Sequence, residues 1–197
     1  MTSEKFILLQ DMHSAKKLDN TLKKMYNYNL KTILGGGVLK YLIFSDSHRN
    51  TAPMDAVIRS VSCDAVLHLG DVAEDVEHLR RTFFHKTVCA VCGNNDVFFR
   101  EDPPKVFLED YGHRIMLCHG HLHSVKTTSE RLINDAKANR CDIVLFGHTH
   151  CAVNRTENGI LMVNPGSIGR NGTYAILTIT DRVAEAEIKT VDLSEYR

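Results

Sequence analysis

Apolar residues in this chain fall into short unbroken runs, and several of these runs stop abruptly on metal-binding side chains. Tyr41-Leu42-Ile43-Phe44 runs into Ser45-Asp46-Ser47-His48, Ala65 to Leu69 into Gly70-Asp71, Thr87 to Cys92 into Gly93-Asn94-Asn95-Asp96, and Ile143 to Phe146 into Gly147-His148-Thr149-His150. Runs of this length are too short for a buried helix and read as interior strands. Helical spacing lies between them. Met54, Val57, Ile58 and Val61 mark a helix over Thr51 to Val61, with Pro53 tolerated in its first turn, and Val76, Leu79, Phe83 and Phe84 mark a second. A third covers Thr128 to Arg140, capped by Thr128 or Ser129, with Leu132, Ile133 and Ala136 inward. Strands alternating with helices predict βαβ units and a largely parallel sheet. Sites in such sheets form where the strands' carboxyl ends converge.

Elsewhere the spacing is that of hairpins. Lys105 to Glu109 and His113 to Cys118 flank Asp110-Tyr111-Gly112, and Asn158-Gly159 separates Val153 to Thr156 from Ile160 to Val163. After the break at Asn164-Pro165-Gly166-Ser167, Tyr174 to Thr180 and Val183 to Val191 alternate as two further antiparallel strands. A second, antiparallel-rich sheet packed on the first predicts a sandwich with helices outside.

Residues 1–39 read as an N-terminal extension in front of a domain over 40–197. Leu18, Leu22 and Met25 suit an appended amphipathic helix over Ser14 to Tyr28. The competing expectation is a mis-called start, with Gly35-Gly36-Gly37 spelled by an in-frame ribosome-binding site and initiation at Val38 or Leu39. Twenty-four basic residues balance 24 acidic ones, so no charge bias marks a nucleic-acid or membrane partner. No apolar run approaches the roughly 18 residues of a spanning helix, and six cysteines spread through strands suit reduced thiols; the expected location is the cytoplasm.

Taken singly, the candidate groups have ordinary explanations. Asp71 suits a helix N-cap, Asn94 a turn, and His68 a satisfied core histidine. Cys89 and Cys92 resemble a thiol pair, but positions i and i+3 of a strand face opposite ways. His78 and His85 sit among charged neighbours and are expected to be solvated. Glycine before Asp71, Asn94 and His148 lets the backbone turn sharply or approach an ion closely.

Taken in order, Asp46-Ser47-His48, Gly70-Asp71, Gly93-Asn94-Asn95-Asp96, His119-Gly120-His121 and Gly147-His148-Thr149-His150 resemble the five ligand motifs of the calcineurin-like metallophosphoesterase superfamily. The compact length and Asn164-Pro165-Gly166-Ser167 are most similar to its small prokaryotic, YfcE-type phosphodiesterase branch. The resemblance spans about residues 40–192. It implies an α/β fold, a four-layer αββα sandwich of two mixed sheets. It also implies a pair of divalent ions, most often Mn²⁺, with Ni²⁺, Fe²⁺ or Zn²⁺ as substitutes. By motif, Asp46, His48 and His150 hold one ion; Asn94, His119 and His148 hold the other; Asp71 bridges.

The implied chemistry is hydrolysis of a phosphodiester by a hydroxide bridging the two ions. Two carboxylates offset only part of the +4 charge, so the site attracts the phosphate and stabilises charge on its oxygens. Asp71 and Asn94 then act in catalysis as well as ligation. Many relatives carry a histidine directly after the motif asparagine; here it is Asn95, whose amide is no general acid at neutral pH. His121 is the first candidate for that task, with His123 second, while Asp96 orients the loop. Arg49, Asn95 and Arg170 are the candidate substrate contacts. The expected partner is a small phosphodiester; neither a membrane nor nucleic acid is called for, and a homo-oligomer is compatible. The alternative is a weakly active or inactive protein-interaction scaffold of the same fold.

Overall fold

β2 (Leu39–Phe44) is the strand that both faces of the molecule pack around. Its alternation divides the core: Leu39, Tyr41 and Ile43 enter the space between two sheets, while Leu42 and Phe44 face the helices outside. The computed structural model describes residues 26–28, 37–96, 102–181 and 183–196.

β2 pairs in parallel with β3 (Ala65–His68), and β3 with β4 (Thr87–Ala90). Register is level: Phe44 lies opposite His68, and His68 opposite Ala90. The loops after the three strands therefore leave the sheet side by side. α1 (Ala52–Ser60) and α2 (Ala73–Thr82) make the crossovers and cover the outer face through Met54, Val57 and Leu79.

The other sheet runs β1 (Tyr26–Tyr28), β5 (Lys105–Asp110), β6 (His113–Cys118), β7 (Ile143–Leu145), β9 (Ile160–Asn164), β8 (Val153–Glu157). α3 (Glu130–Ala138) covers its outer face with Leu132, Ile133 and Ala136. Both two-residue hairpin loops, Tyr111-Gly112 and Asn158-Gly159, have positive φ at both positions, as such turns require. Leu67, Leu108, Leu117 and Leu145 fill the space between the sheets, and Tyr41 Oη donates to buried Asp110 Oδ2 at 2.5 Å across it. The result is the expected four-layer αββα sandwich.

Four expectations change. The last hairpin, β10 (Thr173–Thr180) and β11 (Val183–Thr190), joins the first sheet, because β10 pairs antiparallel with the free edge of β2. Tyr26–Tyr28, expected to end an appended helix, forms an edge strand parallel to β5; the rest of that helix and the glycines at 35 and 36 lie outside the described residues. Phe84 is exposed, beyond the end of α2. His78 is paired rather than merely solvated, its Nε2 lying 2.9 Å from Asp55 on α1. Among the described residues no helix is long and apolar enough to cross a membrane.

Candidate metal centre

Level strand ends bring the motif loops into contact before any side chain is considered. Asp46 N–H donates to Gly70 O at 3.0 Å and His48 N–H to Asp71 O at 3.3 Å, joining the first two loops. On the other sheet Gly147 N–H donates to His119 O at 3.0 Å. The two sheets then meet at one carboxylate: Asp46 Oδ2 accepts from Ser45 Oγ at 2.6 Å and from His148 N–H at 3.0 Å.

That leaves Asp46 Oδ1. It is buried and takes no hydrogen bond, yet the Nε2 atoms of His150, His48 and His119 lie 3.1, 3.9 and 4.0 Å away. A buried anionic oxygen without a donor is costly unless a cation answers it. His48 and His150 present Nε2 atoms to each other at 3.1 Å, a contact that two neutral lone pairs make only around a shared proton or cation. The donor set of carboxylate and imidazole suits a divalent transition ion.

Two groups share this oxygen's residue: Asp46, His48 and His150, and Asp46, Asp71 and His119, each with ligand atoms within 4.8 Å of one another. His119 places Nδ1 2.7 Å from Leu69 O, so Nδ1 carries the proton and Nε2 presents its lone pair to Asp71 Oδ2 at 3.5 Å and Asn94 Oδ1 at 3.1 Å. The His148 ring stands 5.1 Å from that of His119. All seven expected ligands thus gather at one end of the sandwich. Asp46 is present in both groups, and Asp71 in the second.

Protonation states agree with ligation. Partial burial, then the neighbouring His119, push His148 down to about 4, and burial lowers His150 against the opposing pull of Asp46. Both imidazoles are therefore neutral at physiological pH, as metal ligands must be.

Backbone strain concentrates at the same place. Asp46, His48, Asp71, His148 and His150 all have φ between 48° and 68°, the left-handed region that non-glycine residues avoid. The flanking glycines make room for carboxylates: a Cβ on Gly93 would sit 1.9 Å from Asp71 Oδ1, and one on Gly147 1.9 Å from Ser45 Oγ and 2.9 Å from Asp46 Oδ2. Gly70, at φ 96°, serves the turn itself and packs against Gly93.

A buried outer layer holds this strained backbone. Asp96 accepts three amides, from Gly93 at 2.6 Å, Asp71 at 3.2 Å and Ala73 at 2.8 Å, which gives the loop-orienting role expected of it. His68 Nδ1 accepts from Gly70 N–H; its Nε2 faces Ser47 Oγ, which donates to Asp75 Oδ2 at 2.6 Å, and Asp75 also accepts from Arg49 N–H. Ser167 Oγ donates to Asp46 O at 2.8 Å, and Asn164 Nδ2 to Gly147 O at 2.9 Å. Asp75 and Asn164 were not expected in this role. The chain break at Asn164-Pro165-Gly166-Ser167 was the one available signal, since the bonds of Asp75 join residues more than twenty positions apart.

The remaining candidates divide. His121 is part-buried, its ring 5.4 Å from His119 and 6.2 Å from His148. His123 is buried and engaged at Nε2 with Asp135 at 2.7 Å, away from the ligands. Asn95, expected to touch substrate, turns onto Asp71, donating from N to Oδ1 at 3.0 Å and from Nδ2 to Oδ2 at 2.6 Å. Arg49 and Arg170 are both exposed; Arg170 follows directly in α4 (Ile168–Asn171), capped by Ser167. Cys89 and Cys92 are buried and in no disulfide, and burial pushes Cys89 up to about 12.

The profile of the calcineurin-like phosphoesterase superfamily domain matches residues 39–182. A Bacillus subtilis protein described as Probable metallophosphoesterase YsnB is 31% identical over 153 residues, covering 74% of this chain and 88% of its own. Among solved structures, a predicted phosphoesterase from Streptococcus pneumoniae TIGR4 superposes with a TM-score of 0.66 at 28% identity, over 78% of this chain and 90% of that one. Vacuolar Protein Sorting 29 from Cryptosporidium parvum superposes with a TM-score of 0.63 over 78% of this chain and 98% of that one, and at 19% identity it shares the fold alone.

Proposed function

The chain belongs to the calcineurin-like phosphoesterase superfamily, and on that premise we propose that it is a cytoplasmic phosphodiesterase that works with two divalent ions, most readily Mn²⁺. Membership implies metal-dependent hydrolysis of phosphoesters; the two-ion count and the diester are the finer part of the proposal. The observation that carries it is buried Asp46 Oδ1, without a hydrogen bond and faced by three imidazoles.

In this scheme Asp46, His48 and His150 hold one ion, Asn94, His119 and His148 the other, and Asp71 is shared. When bound, the ions supply Lewis acidity toward phosphoryl oxygens and a nucleophile at neutral pH. The chain's own part is to keep the pocket cationic and shaped. Among the ligands only Asp46 and Asp71 bring negative charge, while imidazoles and the Asn94 amide bind as neutral groups, which leaves an excess positive charge for an anionic diester. Asn95 holds the Asp71 carboxylate by both oxygens rather than touching substrate. His121, beside His119 and His148, gives a proton to the departing oxygen. Arg49 and Arg170, both exposed, take phosphate oxygens.

Turnover of bis(p-nitrophenyl) phosphate against p-nitrophenyl phosphate, with Mn²⁺ and with chelator, tests this. The diester is expected to be the better substrate, chelation to abolish turnover, and Asp71→Asn to remove metal-dependent activity. Near-normal turnover by Asp71→Asn rejects the site assignment. Silence with Mn²⁺, Ni²⁺, Fe²⁺ and Zn²⁺ alike favours the interaction scaffold.

A further inference from the structure

Thr149, between the candidate ligands His148 and His150, also lines a cavity of about 410 Å³ between the start of α3 and the ends of β7, β8 and β9. The volume lies in the range of small-molecule sites, about 300–1,000 Å³, and exceeds what a methyl or ethyl ester needs. Its floor is apolar, formed by Leu132, Phe146 and Met162, all buried and part of the α3 core. Its rim is polar, with Lys126 and Thr127 exposed at the mouth.

Charge points the same way. Among the described residues no carboxylate lines the cavity, the nearest in hydrogen-bond contact with its lining being Glu157, which accepts from Ser129 and Arg155. Arg155 at its edge is taken by Glu157, with Nη2 2.9 Å from Oε2, whereas Lys126 has no ion-pair partner among the described residues. An apolar floor beneath a hydroxyl and ammonium rim suits a flat ring with apolar faces and a polar edge, attached to an anion at the Thr149 end.

We propose that this cavity binds one arm of the substrate diester, and that the arm is a ring of aryl or nucleoside size. This rests on the phosphodiesterase reading of the adjoining centre. Small alkyl arms leave the floor hydrated and gain nothing from it.

Three p-nitrophenyl phosphodiesters sharing one leaving group test it, their second arm being methyl, phenyl or 5′-thymidyl. With the full chain and Mn²⁺, and after correction for uncatalysed hydrolysis, kcat/KM for a ring-bearing ester is expected to exceed that for the methyl ester by about tenfold or more. A preference for thymidyl over phenyl identifies a nucleoside arm, the reverse an aryl one. Thr127→Trp, which fills the mouth, should bring the ring-to-methyl ratio near unity. A flat series in the wild type, with the methyl ester turned over, overturns the cavity assignment and leaves the hydrolase reading intact. Turnover of none of the three overturns the underlying reading instead. An NMR titration of the full, chelator-treated chain with thymidine and separately with phenol decides the cavity independently of catalysis. Shifts centred on residues 125–129 and 149–153 are expected, and their absence with both probes overturns it.

Discussion

Lowering the pH from 7 to 5 should destabilise this protein through one buried imidazole. His68 lies wholly inside β3, with Gly70 N–H donating to Nδ1 at 3.2 Å and Ser47 Oγ 3.2 Å from Nε2. Since Nδ1 is an acceptor, Nε2 carries the single proton, and a second proton has nowhere to go without breaking the bond to Gly70. Burial, assisted by His119, pushes its pKa from 6.5 down to about 3. The folded pKa is depressed, so the unfolded chain binds more protons between those values. The stabilisation is complete above pH 6.5 and is lost as pH falls toward 3. At pH 5 the loss relative to pH 7 is about 2 kcal/mol, reaching about 4 kcal/mol at pH 3. Other histidines also contribute, so the informative quantity is the difference between wild type and His68→Gln, which keeps an amide near Ser47 but does not titrate. Urea unfolding followed by far-UV circular dichroism, with chelator at both pH values, should show the wild-type advantage shrinking by about 2 kcal/mol between pH 7 and pH 5. A gap that does not change with pH refutes a neutral, hydrogen-bonded His68.

Gly93→Ala places a methyl group where Asp71 Oδ1 now lies, 1.9 Å from the ideal Cβ, so the carboxylate must swing away. Metal affinity measured by calorimetric titration should weaken about 10- to 100-fold, the range for displaced ligand geometry, and unchanged affinity would remove Asp71 from the site. Asp96→Asn replaces one oxygen of the clamp on the Gly93, Asp71 and Ala73 amides by a donor that clashes with them. A loss of about 1–3 kcal/mol in urea unfolding is expected, together with reduced turnover; a variant as stable as wild type would show that the loop holds itself.

Much of the site was legible because its ligands sit where strands stop. An unbroken apolar run such as Tyr41–Phe44 can only be an interior strand, and the polar residues directly after it must emerge at its carboxyl end. Parallel connections put several such ends on one edge, so Asp46, Asp71 and Asn94 were predictable as neighbours, and the motif resemblance added His119, His148 and His150. Which sheet receives the last hairpin was not predictable, because period-two alternation fits either one and only the free edge of β2 selects. The strand at Tyr26–Tyr28 likewise depends on the open edge of β5, a partner about eighty residues away.

Periodicity and local stopping points along the chain determined the strands and the end of the sheet where the metal-binding residue types emerge, and the resemblance of the motifs named the candidate ligands. Tertiary structure alone decided that Asp46 stands common to both ligand groups, that Asn95 serves Asp71, and that His68, Asp75 and Asp96 anchor the strained loops. Each of those depends on contacts between distant segments, and hydrogen bonds of that kind leave no period or spacing in the sequence.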